Sequence, residues 1–172
     1  VKFYKGCREK GIKPIIGSEV NVSSDEFNYR VLLLAKNITG YRQICEWITR
    51  SYVENKILDI PYVKEEWLLE FSNSDVIMLS GAQYGDIGTL IKQNKLDEAT
   101  TKAKKWQQIF ADNYFLELQR IHHDDVDQIV EGSLAISSEL NIPVVATHPI
   151  QFIKTDDYTA HEVRTCVAEG EM

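Results

Sequence analysis

Val144-Val145-Ala146-Thr147-His148-Pro149-Ile150-Gln151-Phe152 is the stretch on which the fold turns. Val144 to Thr147 reads as a buried strand, and it runs into a polar turn stopped by Pro149. Asn141 and Pro143 stand just before it, so the helical spacing upstream has to end there. A helix closing directly before an aliphatic strand marks a β-α-β unit. Chemistry in such folds gathers where the parallel strands end. His148, Pro149 and Gln151 are therefore the first positions to question, although a His beside a Pro is by itself only a turn.

The same alternation extends back through the chain. Val126, Ile129, Val130, Ser133, Ser137 and Leu140 line one side of a helix, which follows a strand at Tyr114 to Leu118 and the polar run Arg120 to Asp125. Ala99, Ala103, Trp106 and Phe110 form a single helical face with Asn94 as its expected cap. Asp86 to Lys92 is a shorter helix behind the buried strand Val76 to Leu79. Glu65 to Phe71 is another, with Trp67 and Leu68 inward, after a turn at Asp59 to Tyr62. Tyr41, Ile44, Cys45, Ile48 and Tyr52 give an apolar face to a helix capped at Thr39. The run Val31 to Ala35 has the composition of a strand buried on both faces. Ile15-Ile16 opens a strand that continues through Val20 and Val22.

Lys2 to Lys10 reads as the end of a helix, with Phe3, Tyr4 and Cys7 on its apolar side and Gly11 closing it. Thr159-Ala160-His161-Glu162 fits a capping box for a last helix through Val163 and Val167. No tandem repeat of about 20–50 residues is present. The pattern is α/β with mostly parallel strands, and it leaves a doubly wound sheet and a distorted barrel both open.

At 172 residues the chain suits one domain. Its net charge of −7 argues against gripping a phosphate backbone unaided. No apolar run approaches the roughly 20 residues of a membrane span, and no secretory leader is visible. A cytoplasmic location without a membrane partner is expected. Cys7, Cys45 and Cys166 are odd in number and far apart, which fits a reducing compartment rather than a disulfide framework. The chain opens on Val1 and stops soon after Gly170, so it reads as a piece of something longer.

Polar residues at strand ends are the candidates for chemistry: Glu19, Arg30, Ser80 to Gln83, Glu117 and His148 to Gln151. Glu19 leads them as a carboxylate close behind an apolar strand and Gly17. The run His122-His123-Asp124-Asp125 suggests a metal cluster at first sight. Adjacent residues point different ways, however, and a cap for the following helix is the simpler reading. His161 falls in the first turn of the last helix, where packing or hydrogen bonding is expected. Phosphate-loop, nucleophile-elbow and Cys–His motifs are absent.

Several ordered blocks together resemble one family: V-K-F-Y-K-G-C-R-E-K-G-I-K-P-I-I-G-S-E-V-N-V, L-L-L-A-K-N-I-T-G-Y-R-Q-I, V-I-M-L-S-G-A-Q-Y-G-D-I-G, N-Y-F-L-E-L-Q-R, I-P-V-V-A-T-H-P-I-Q-F and D-D-Y-T-A-H-E-V-R. They are similar to the PHP (polymerase and histidinol phosphatase) domain of the bacterial DNA polymerase III α subunit, from end to end. The resemblance implies part of a distorted (β/α)7, TIM-like barrel. Residues 1–172 would then be a single partial PHP domain whose first strands lie upstream and whose polymerase regions lie downstream.

Active PHP domains are metal-dependent phosphoesterases that hold zinc or manganese at strand ends, while the polymerase region uses magnesium. Carried over position by position, the family's carboxylate survives as Glu19. A ligand His is replaced by Arg30, a Cys by Ala82, an Asp by Pro149 and a His by Gln151. A guanidinium repels a cation and an amide binds it weakly. The resemblance therefore implies no catalytic residue and no metal or other cofactor in this chain. Arg30 is expected to pair with Glu19 in place of the metal. The implied role is a scaffold for DNA replication that binds the proofreading exonuclease subunit and other holoenzyme subunits, with DNA held by the polymerase regions. The competing reading is an active metal-dependent phosphoesterase or 3′–5′ exonuclease.

Overall fold

A computed structural model describes residues 2–70, 75–120 and 125–170. Helix α1 (Lys2–Glu9) leads into the antiparallel strands β1 (Ile16–Ser23) and β2 (Tyr29–Ala35). After them come α2 (Ile38–Glu54), the small hairpin β3 (Lys56–Ile57) and β4 (Ile60–Pro61), β5 (Val63–Lys64) and α3 (Glu65–Leu69). Strand β6 (Val76–Leu79), helices α4 (Asp86–Lys92) and α5 (Leu96–Phe110), β7 (Tyr114–Gln119), α6 (Val126–Leu140), β8 (Val144–Thr147) and α7 (Tyr158–Glu169) complete the described chain.

Six strands form one sheet in the order β5-β1-β2-β6-β7-β8. The β5–β1, β6–β7 and β7–β8 pairs are parallel, whereas β2 is antiparallel to both β1 and β6. Strand β2 therefore runs against the other five. The result is a mixed α/β architecture with a mostly parallel sheet, as expected of part of a PHP barrel. The reversal of β2 was not legible, because an apolar run carries no direction. It has a positional consequence: the start of β2 lies at the edge where the parallel strands end.

The register aligns Leu33, Met78 and Tyr114 across three strands, and all three are buried. Against this face pack Ile44 and Trp47 from α2, Ile87, Leu90 and Ile91 from α4, and Ala99, Ala103, Trp106 and Phe110 from α5. Burying each large side chain is worth about 1.5–3 kcal/mol, which makes this layer the main source of stability. The α5 face matches the sequence pattern residue for residue.

Elsewhere the pattern was displaced. In α2 the buried positions are Gly40, Ile44, Trp47 and Ser51, while Tyr41 and Tyr52 are exposed and Cys45 and Ile48 are half-buried. The helix begins one residue before Thr39, and Asn37 is its cap, accepting the amides of Thr39 and Gly40 at 2.9 and 3.1 Å. Trp47 lies on the face that packs into the core. Asn94 does not cap α5; it sits at φ 59°, ending the turn after α4 with a backbone that Asn tolerates. Val31 and Leu33 are buried but Leu32 and Leu34 only partly, so β2 is covered fully on one face alone.

Strand β8 is the outermost in the sheet, and Val144 is 41% exposed rather than buried. Helix α7 starts at Tyr158, so Thr159 lies inside its first turn; the Lys154 amide is met instead by Asp157 at 3.1 Å. Phe3, Tyr4, Val163 and Val167 are exposed.

Candidate functional site

Two polar groups lie on the sheet face turned away from the helices, toward the edge where the parallel strands end. The first rests on β1 and β2. Asn21 lies opposite Arg30, which puts Glu19 on the same face and one diagonal away. The Arg30 guanidinium donates to Glu19 Oε2 at 3.1 Å and stacks on the Tyr84 ring, 4.4 Å from its centre. Glu19 stands in the middle of β1 rather than at its end, and its side chain is 63% exposed. A Cβ on Gly81 would lie 2.0 Å from the Arg30 carbonyl oxygen, and Gly81 has φ 79°, so only glycine lets this turn close on β2. Asn21, Asn28, Tyr29, Arg30, Tyr62 and Tyr84 line an open hollow beside the pair.

The second group rests on β7 and β8. Register places Gln119 beside Thr147. Glu117 is buried, and its carboxylate accepts the Thr147 hydroxyl and, at 3.2 Å, the Gln119 amide. The Glu117 backbone amide donates to the buried Ser80 hydroxyl at 2.9 Å, which ties the end of β6 to β7. Glu117 and Ser80 were expected here from the sequence, but the carboxylate's partners Thr147 and Gln119 were not. They become visible only through the strand register.

The remaining candidates contribute no donor atom to either group. Ala82 is buried with only a methyl to offer, and Pro149 and Gln151 lie in the turn beyond β8, Gln151 exposed. His148 is exposed. His161 packs against Phe152, 5.7 Å between ring centres, in keeping with a structural role. Residues 121–124, which hold most of the His-His-Asp-Asp run, lie outside the described residues; Asp125 pairs with Lys92 at 3.0 Å.

Among the described residues the donors at the strand ends are already engaged. Glu19 is engaged by a cation, Glu117 is consumed by neutral donors, and no three His, Cys, Asp or Glu side chains converge among the described residues. Because the Arg30–Glu19 pair is largely exposed, its worth is modest, roughly 0–1 kcal/mol, with about 0.5–1 kcal/mol more from the stack on Tyr84. Arg30→Ala is thus expected to lower the melting temperature by about 2–4 °C for a domain of this size. An unchanged calorimetric midpoint would count against Arg30 as a structural replacement for the metal.

Behind the sheet lies a buried ionic group with no counterpart in the sequence reading. Glu65, the first residue of α3, accepts Tyr29 Oη at 2.8 Å, Lys102 Nζ at 2.9 Å and Lys105 Nζ at 3.0 Å. Burial opposes its charge, but hydrogen bonds from Lys102, Tyr29 and Lys105 hold the carboxyl below its usual range. Asp86, at the start of α4, is fully buried and accepts Trp106 Nε1 at 2.7 Å and the Ile87 amide at 2.8 Å. Burial raises its pKa to about 6 despite those bonds. Burial, followed by the Asp86 and Glu65 charges, keeps the Tyr29 hydroxyl protonated far above the ordinary phenol range.

The fold points to the class of the protein. The PHP domain family matches residues 1–121, and the chain belongs to that family. It is 39% identical over 175 residues to the DNA polymerase III subunit alpha of Neisseria meningitidis serogroup B. Identity is 36% over 173 residues to the same subunit of Pseudomonas fluorescens and 34% over 177 residues to that of Escherichia coli K12. Each alignment covers 99% of this chain and 15% of the relative. Among the described residues no helix is long and apolar enough to cross a membrane.

Proposed function

We propose that this chain is the PHP part of a replicative DNA polymerase III α subunit, and that it serves there as a metal-free scaffold. Its role would be to support the polymerase in DNA replication and to seat the proofreading exonuclease subunit. DNA and the other holoenzyme subunits would be engaged through the remaining polymerase regions. The identity to α subunits along almost the whole chain supports the parent assignment.

One observation carries the loss of hydrolysis: the Arg30 guanidinium sits on the Glu19 carboxylate, at the position of the one family ligand that survives. A cation cluster there would face a fixed positive charge and lack the three or four ligands that such a centre needs. The full-length protein is therefore expected to purify without stoichiometric zinc or manganese and to keep its melting temperature in chelator. Elemental analysis paired with a phosphoesterase assay tests this. A stoichiometric metal with turnover that chelation abolishes would establish the active phosphoesterase instead.

A further inference from the structure

Helix α5 carries two polar side chains one turn apart, and each reaches the first residue of a different helix. Lys102 donates to Glu65 at the start of α3, and Trp106, four residues on, donates to Asp86 at the start of α4. Both acids are buried, Glu65 at 8% exposure and Asp86 at 0%. Their partners differ in kind. Glu65 is met by two ammonium groups and a phenol. Asp86 is met only by neutral donors, the Trp106 indole and the Ile87 amide. Neutral donors do not cancel a buried charge, so the ionised form of Asp86 depends on charges further off.

Those charges come from four elements. From α5 the Lys102 ammonium favours the carboxylate, and from α3 the Glu65 carboxylate opposes it. From β2 and β7 come the Tyr29 and Tyr114 hydroxyls, both kept protonated by burial, and Tyr114 makes no hydrogen bond to the carboxylate. The Lys105 side chain also sits on Glu65 but is 43% exposed, so solvent screens it. On α4 itself, Lys92 lies in the last turn and pairs with Asp125. Lys102 therefore serves two acids. It bonds both oxygens of Glu65, at 3.2 and 2.9 Å, and acts on Asp86 through space.

The state of Asp86 bears on how two helices are held. Its carboxyl accepts one of the otherwise unpaired first amides of α4 and, through Trp106, ties that turn to α5. A neutral carboxyl keeps acceptor capacity for both bonds, whereas the ionised form must stay in the core without its hydration.

We propose that Asp86 is a proton-operated fastener of the α4–α5 corner, and that Lys102, shared with Glu65, sets the balance between its two forms. With the proton on, the corner stays closed. With the proton off, it opens locally more often, while the β1–β2 hairpin is unaffected. The folded carboxyl keeps its proton to about pH 6 and the exposed one only to 3.8, so closure weakens as pH rises through about 6. Glu65 titrates below this interval.

Hydrogen exchange of the full-length protein tests this, read by mass spectrometry from about pH 5 to 8 and corrected for the intrinsic pH dependence of exchange. Peptides from α4 and α5 are expected to lose about tenfold in protection across that range, and peptides from β1 and β2 to hold. Asp86→Asn should abolish the step. Lys102→Met should move it to higher pH by about one pH unit, Glu65→Gln should move it to lower pH, and Lys105→Met should move it far less. Should either acid variant fail to fold, Lys102→Met against Lys105→Met decides alone. Protection in α4 and α5 that does not change with pH would overturn the proposal, as would a step that survives Asp86→Asn. A step that Lys102→Met leaves in place would also overturn it, because Asp86 would then titrate as an isolated buried acid. Equal losses in β1 and β2 would do the same, since the response would be global.

Discussion

Trp106→Ala is expected to leave the domain unfolded, or close to it, at physiological temperature. Trp106 is fully buried, and cutting such a side chain to a methyl costs about 3–5 kcal/mol in lost contacts and cavity. Its indole N–H is also the donor to Asp86 Oδ2 at 2.7 Å, and a buried acceptor left alone costs roughly 1–3 kcal/mol more. Together these approach the total of about 5–15 kcal/mol by which a domain is stable. Urea titration should show a cooperative transition in the wild type and little or none in the variant. Trp106→Phe keeps most of the ring and loses only the donor, so a midpoint between the two is expected. A Phe variant as unstable as the Ala variant would locate the cost in the hydrogen bond rather than the ring.

Asp86 gives this corner a pH signature. The folded carboxyl has a pKa of about 6 against 3.8 unfolded, so the folded state holds the proton more tightly. Its contribution is full below pH 3.8 and is lost as pH rises through about 6, a change on the order of 3 kcal/mol. Urea midpoints should carry this downward component over that interval, and Asp86→Asn should remove it.

Glu65→Leu is expected to destabilise the domain by about 3–5 kcal/mol, the cost of removing one partner from a buried ion pair. The Lys102 side chain is only 14% exposed and would lose the carboxylate to which it donates. Tyr29, with its hydroxyl locked in the protonated form, would lose its acceptor as well. The double change Glu65→Leu with Lys102→Met should recover much of the loss, because it removes the stranded charge together with its partner. A drop of less than about 1 kcal/mol for Glu65→Leu alone would show that Lys102 escapes to water. Glu65 acts on the acid side in the opposite sense to Asp86. Its lowered pKa stabilises the fold above 4.5, and that contribution fades as pH falls further below this value.

What could be read from the sequence follows from the range of each interaction. The α5 face, the α3 pair Trp67 and Leu68, the strand Val76 to Leu79 and the Asn141 stop all depend on near neighbours, and all stand as expected. The α2 face was displaced because Tyr41 and Tyr52 satisfy helical spacing as well as Trp47 does, and only the packed sheet chooses between them. The composition of Val144 to Thr147 is that of a buried strand, yet burial depends on its place in the sheet. Family resemblance implies a Glu19–Arg30 pair, and the register brings the two within 3.1 Å. The Glu65–Lys102 and Asp86–Trp106 contacts join residues 37 and 20 positions apart, and neither partner signals the other along the chain.

The reversed strand also has a consequence for the order of assembly. Strands β1 and β2 are joined by a short loop in which Ser24 and Phe27 bond to each other, and seven residues of each strand pair in register. A hairpin of this kind closes in about 1–10 μs, before any pairing that must wait for a helical crossover. The remaining pairs in the sheet all span such longer connections. Glu19 and Arg30 thus belong to the most local piece of the sheet, and the charge pair is built by the hairpin rather than by the rest of the sheet.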